Sequence, residues 1–291
     1  MAKEHIRHWQ IGDVQVTRLV EVNAHEDPFT MLSKDCEPDM GKHYPWLAPH
    51  FVTPDGRMKI SFQAFAMKTP TKTIIVDTCI GEGREREYPI FTHMQSDYLE
   101  DLAAAGYDPE QVDVVLCTHL HFDHVGWNTR RENGRWVPTF PNARYLFAKG
   151  EYEHWQKARA EGGGHFDHFT DAIDPVVEAG LVDFIDTEHR VCEEVSLFPT
   201  PGHTLGHVSV LIRSRGEEAV ITGDLMHHPI QVARPDLPMN ADSDKALAIE
   251  TRRAFCERFG DSRVTVIGSH FCDPTSGRIV SDTTSWRWVL E

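Results

Sequence analysis

The chain has 291 residues and carries 29 Lys and Arg against 45 Asp and Glu, a formal net charge of −16. So acidic a surface repels phosphate backbones and anionic lipid headgroups, which argues against a nucleic-acid or membrane partner. Hydrophobic residues make up 40%, enough to core one sizeable domain, and six dispersed cysteines without a CxxC pair fit a reducing compartment rather than a disulfide framework.

The opening MAKEHIRHWQIGDVQV lacks the apolar stretch of a secretory signal, and no window reaches the roughly 18 apolar residues of a membrane span. The expectation is a soluble, cytoplasmic protein. IRHWQIGDVQVTRLVEV reads as two strands around a Gly-Asp turn. Residues 24–58 read as an irregular insertion, of a length that usually serves function. It carries Met31, Leu32, Tyr44, Trp46, Leu47 and Phe51, too many large apolar groups to face water. They are expected both to line a pocket and to pack on a second copy in a homodimer.

KISFQAFAMK and KTIIVDTC read as buried strands, and GEGREREYP as a solvated charged turn. SDYLEDLAAAG reads as a short helix capped by Ser96 and stopped by Gly106. VDVVLCTH is a continuous apolar run, the mark of a strand covered on both faces. GRWVPTF is a further candidate for the pocket wall. NARYLFA reads as a strand and KGEYEHWQKARAEG as a helix. In EGGGHFDHFTD, His165, Asp167 and His168 follow three glycines with no strand to present them, so a loop near the site's mouth is expected rather than a metal loop.

LVDFID and VSLFPTPG read as strands, and HVSVLIRSRGEEAVITGD as a hairpin turning at SRGE. Asp242 or Ser243 can cap the helix DKALAIETRRAFCERFG, with Leu247, Ala254, Phe255 and Phe259 on one face, and RVTVIGSH is a last core strand. This order suggests two mixed sheets with helices outside. No linker is visible, so residues 1–291 are expected to form a single domain.

Eighteen histidines stand out, and THLHFDHVGW concentrates three of them with an aspartate just past an apolar strand. His119 and His121 are two apart, so an extended backbone points both side chains the same way. Asp123 and His124 are adjacent, and a turn there can aim them at a second point. One loop can thus serve two neighbouring metal ions. His203, Asp224 and His270 each follow an apolar strand by a small residue, where the chain turns sharply. A carboxylate can bridge two cations, which suits Asp224. Nitrogen and oxygen ligands without thiolate suit two zinc ions, with iron or manganese also fitting.

THLHFDH, TPGHTLGH, TGD and GSH, in that order between Ile74 and His270, resemble the motifs of the metallo-β-lactamase fold superfamily. The resemblance implies an α/β four-layer αββα sandwich of two mixed sheets flanked by helices, with a two-metal site on one edge. By it, His119, His121 and His203 hold the first metal, Asp123, His124 and His270 the second, and Asp224 bridges them. Asp77 matches the aspartate that steadies the metal loop, and His207 a structural position.

Five histidines without a cysteine ligand are unlike the β-lactamases that use one, and His121 stands where redox di-iron members carry glutamate. The pattern is similar to the lactonase and methyl parathion hydrolase branch, and GDLMHHPIQVARPDLPMNADSD with SWRW looks most like the latter group. His227 stands three residues after Asp224, where acyl-homoserine lactonases carry tyrosine.

The activity so implied is hydrolysis of a small, largely apolar lactone or carboxylic ester. Two cations about 3.5–4 Å apart activate water and clamp a developing oxyanion. Asp123 would carry the proton to the leaving oxygen, and His227 would support as a hydrogen-bond donor. Phosphotriester hydrolysis is the alternative. A thioesterase of the glyoxalase II type would need a basic site that is not evident, and the acidic charge disfavours a nuclease.

Overall fold

In the computed structural model, which describes residues 6–162, 166–283 and 285–290, apolar residues alternate along the strands and set the layering. The first half of the chain supplies β1 (Arg7–Ile11), β2 (Val14–Asp27), β3 (Met58–Lys68), β4 (Thr73–Val76), α1 (Tyr98–Ala104), β5 (Val114–Leu116) and α2 (Phe122–Val125). The hairpin β6 (Thr129–Glu132) and β7 (Arg135–Pro138) follows, then β8 (Arg144–Ala148), α3 (Lys149–Ala160), α4 (Asp174–Glu178) and β9 (Val182–Ile185). The second half runs β10 (Val195–Pro199), β11 (Val208–Ser214), β12 (Glu217–Ile221), α5 (Ile230–Ala233), α6 (Lys245–Phe259), β13 (Thr265–Ile267), β14 (Ser276–Asp282) and β15 (Ser285–Leu290).

One sheet has the order β1-β2-β3-β4-β5-β8-β9 and the other β10-β11-β12-β13-β14-β15. Val76, Val114, Leu116, Ile221 and Ile267 point between the sheets into a shared core. Their neighbours point the other way, Ile75 and Val115 toward α4 and Val220 and Val266 toward α6. This period of two makes four layers, helix, sheet, sheet, helix. β4 and β5 run parallel, as do β12 and β13, so the loops after each pair leave from a common end of their sheet.

β2 runs four residues into the stretch expected to be irregular. Residues 28–57 then bury Phe29, Leu32, Leu47 and Phe51 in the core beside α6, with Tyr44 and Trp46 packed partly against it. Most of the insertion's apolar groups are thus covered by this chain itself. GEGREREYP is not a solvated turn: Arg84 and Arg86 are buried, and both donate to Asp171, at 2.8 and 2.7 Å. Local composition read as surface because the acid that pairs them lies 87 and 85 residues away.

Ser96 does not cap α1; its hydroxyl donates to Glu21 at 2.9 Å, and Asp97 holds the cap position. α6 is capped by Asp244, which accepts from the Leu247 amide. Its buried face is Ala248, Arg252, Phe255, Cys256 and Phe259, whereas Ala254 is exposed. Cys79, Cys117 and Cys272 are buried as small hydrophobes. Among the described residues no helix is long and apolar enough to cross a membrane.

Candidate metal centre

The loops after β5, β10, β12 and β13 meet at one edge of the sandwich. His119 Nε2 lies 3.0 Å from His121 Nδ1, and His203 Nε2 lies 2.9 Å from the same nitrogen. Asp224 Oδ2 is 3.6 Å from His119 Nε2 and 3.3 Å from His203 Nε2. The other oxygen of Asp224, Oδ1, is 3.0 Å from His124 Nε2 and 3.1 Å from His270 Nε2. Asp123 Oδ2 closes this second group, 3.6 Å from His124 and 3.5 Å from His270. The seven residues singled out from the sequence therefore form two groups of four that share Asp224, each with its ligand atoms within 4.8 Å of one another.

These residues fit a pair of metal ions. With metal–nitrogen bonds of about 2.0–2.1 Å in a tetrahedron, ligand atoms lie roughly 3.4 Å apart. Four of the five histidines also engage their far ring nitrogen. His124 Nδ1 meets Asp77 at 2.9 Å, His203 Nδ1 meets Asp242 at 3.0 Å, His270 Nδ1 meets the Ser61 carbonyl at 2.9 Å, and His119 Nδ1 meets the Thr118 hydroxyl at 3.1 Å. Such outer contacts fix the ring and leave the inner nitrogen free to coordinate. Asp224 Oδ1 is buried and, although close to the His124 and His270 rings, accepts no well-aligned hydrogen bond, as expected of an oxygen aimed at a cation.

Burial pushes His119 and His121 well below the ordinary histidine range, so both stay neutral. Burial alone would raise the Asp224 carboxyl, but His124 and His270 hold it well below its usual range. Asp77, at the end of β4, takes the Thr118 amide at 2.7 Å and the Thr118 hydroxyl as well as His124. His207 accepts from the Asp224 amide at 2.8 Å through Nε2. A side chain on Gly223 would strike that ring, with Cβ 2.5 Å from Nε2, so only glycine fits before Asp224.

The centre floors a cavity of about 470 Å3. Its walls are mostly apolar, among them Met31, Met58, Phe62, Tyr88, Phe91 and Phe166. Of the insertion's six large apolar residues only Met31 lines it. Asp167 and His168 also line it, as expected near the mouth, but neither belongs to a metal group among the described residues; His165 lies outside the described residues. GRWVPTF takes no part in this wall. Its Trp136 packs on the Arg84 guanidinium at 4.0 Å, by a separate hollow.

His227 lies on the floor, with Nε2 3.1 Å from Asp224 Oδ2 and its ring stacked on His270 at 5.2 Å. Its Nδ1 is buried without a partner. Asp242, one of the two cap candidates with Ser243, turns inward to His203 instead and receives Arg252 at 2.8 Å. Arg252 and Glu151 are fully buried and were not singled out from the sequence. Arg252 lies three and seven residues before Phe255 and Phe259, on the helix's apolar face, a signal that could have found it. Glu151 gave no such signal.

An N-acyl homoserine lactonase of Bacillus sp is 27% identical over 182 residues, covering 58% of this chain and 65% of that protein. The match thus spans just under two thirds of that relative's length. In structure, the hydrolase AbOPH of the beta lactamase superfamily superposes with a TM-score of 0.82 at 25% identity, covering 100% of this chain and 99% of that one. AidC, a dizinc quorum-quenching lactonase, has the same fold, with a TM-score of 0.81 at 21% identity over 98% of this chain and 97% of its own. The family model for the Metallo-beta-lactamase superfamily matches residues 63–270. Those residues run from within β3 to the loop after β13 and include both metal groups, and the chain belongs to the metallo-beta-lactamase superfamily.

Proposed function

We propose that the chain is a dinuclear, zinc-dependent hydrolase that opens small, largely apolar lactones or carboxylic esters. One observation carries the reading: Asp224 divides its two oxygens between two ligand groups at the floor of an apolar cavity. The similarity to an N-acyl homoserine lactonase supports the lactone class. A metal pair supplies Lewis acidity and a water of lowered pKa, and the same donor set accepts iron or manganese.

The chain's own residues do the rest. Asp224 sets the spacing between the two groups. Asp123 faces the cavity, where its carboxylate takes the proton and passes it to the leaving oxygen. His227, kept neutral by burial, donates a hydrogen bond to the substrate's carbonyl oxygen. The apolar walls hold the alkyl part of the substrate and exclude water.

The test is a panel of initial rates on zinc-loaded protein: γ- and δ-lactones with short and long acyl chains, aryl esters, a phosphotriester and a thioester, with His121→Ala as the blank. Lactones or esters should turn over at least about tenfold faster than the rest. A phosphotriester that outruns them sinks the ester reading, and so does an active His121→Ala protein. A homodimer belongs to this proposal, supported by Met31, Tyr88 and Ile90, which stay exposed at the cavity rim. A monomer mass by light scattering would remove it.

A further inference from the structure

Glu151 stands in the first turn of α3 with none of its surface exposed. A carboxylate withdrawn from water is tolerated only where its oxygens are satisfied. Oε1 accepts from the Leu120 amide at 3.3 Å and the Trp155 indole at 2.7 Å. Oε2 accepts from the Gly206 amide at 2.9 Å. Leu120 lies between His119 and His121, and Gly206 lies three residues past His203. One side chain therefore ties together the two loops that carry all three histidines of the first group.

The contact is close as well as polar. A Cβ on Gly206 would sit 2.5 Å from the Cβ of Glu151, so the loop rests directly on the helix. Trp155, one turn further along α3, packs edge-on against His121 at 5.4 Å between ring centres. The second group is backed differently, His124 by Asp77 and His270 by Ser61.

We infer that Glu151 is a positioning residue for the first metal and not the second, its carboxylate fixing the separation of His121 and His203. The inference rests on the two-metal reading above. In Glu151→Gln the shape is kept, but an amide nitrogen replaces one oxygen, so one of the two loops loses its acceptor.

The experiment measures zinc affinity by competition with a chromophoric chelator in two backgrounds. His270→Ala keeps the first group whole, and His121→Ala keeps the second group whole. Glu151→Gln should weaken zinc about tenfold to a hundredfold in the first background, the range for losing a partner behind a metal ligand, and less than about twofold in the second. A helix that merely supported the fold would shift both alike. If Glu151→Gln does not fold, judged by circular dichroism, Glu151→Asp replaces it with the same expected split. Equal losses, or no loss in either background, overturn the role of Glu151 and leave the two-metal reading standing. A protein that takes up no zinc in either background sinks that reading and this inference with it.

Discussion

The floor and the walls of the cavity are built on opposite principles. On the floor nearly every imidazole has a second partner behind it, and those partners have partners, as in the run His203, Asp242, Arg252. The walls are mostly apolar, Met31, Tyr88, Phe91 and their neighbours, with Tyr88 packed edge-on against Phe91. A floor so over-determined holds one geometry, whereas walls held by dispersion can change shape at small cost. The floor should set whether reaction occurs, and the walls which molecule reacts.

The largest test breaks the floor at its centre. Asp224→Ala removes a ligand from both groups and should lower kcat/KM by about a thousandfold or more, with less than one tightly held zinc per chain by elemental analysis. A variant that keeps two zinc ions contradicts the shared role of Asp224.

The core packing beside the floor is sensitive to acid. His228 is buried, its Nε2 donating to the Phe51 carbonyl at 2.8 Å and its Nδ1 accepting from the Ile230 amide. Burial pushes it from 6.5 down to about 4. The unfolded chain therefore takes up this proton first. The resulting stability is complete above pH 6.5 and is lost progressively as pH falls toward 4, about 3 kcal/mol in all. Urea midpoints at pH 7.5 and pH 5 should show the advantage of the wild type over His228→Gln shrinking in acid. An advantage that stays constant would mean this histidine does not titrate as described.

A milder change acts one step behind the floor. Asp242→Asn keeps the shape of the contact to His203 but not its charge, and zinc affinity should fall about tenfold. Chelator competition would reveal an unchanged affinity if Asp242 only braces α6. The smallest effect belongs to the wall. Tyr88 is 43% exposed and packs on Phe122 at 5.7 Å, so Tyr88→Ala should leave zinc content and melting temperature unchanged. Rates on long-chain esters should fall a few-fold and those on acetyl esters should not, because an apolar wall discriminates by about 1–3 kcal/mol per methylene at most. Equal losses on both would show that the wall acts on the chemistry.

The candidate ligands of the floor were legible because each lies in the segment that directly follows a strand, and a strand followed by such a segment is a local pattern. The layering was legible for a similar reason: the continuous apolar run at β5 is a local mark of a strand covered on both faces. What lies behind the ligands was not. Asp242 sits among several acids, any of which could cap α6, and only the fold shows that Asp244 does so while Asp242 reaches His203. Arg84, Arg86 and Asp171 form one buried cluster, but the arginines read as surface because their partner is remote in sequence. The insertion's apolar content was evident, yet composition could not say that most of it would be consumed by the chain's own core.

The apolar cavity opens from a protein whose formal charge is −16. On the proposed reaction a neutral molecule enters and a carboxylate leaves. An uncharged ester feels little of the surrounding field, but its product carries the same sign as the protein and is driven outward. That acidity would thus act as a ratchet on turnover, weakening product inhibition at low salt and relaxing as salt screens it.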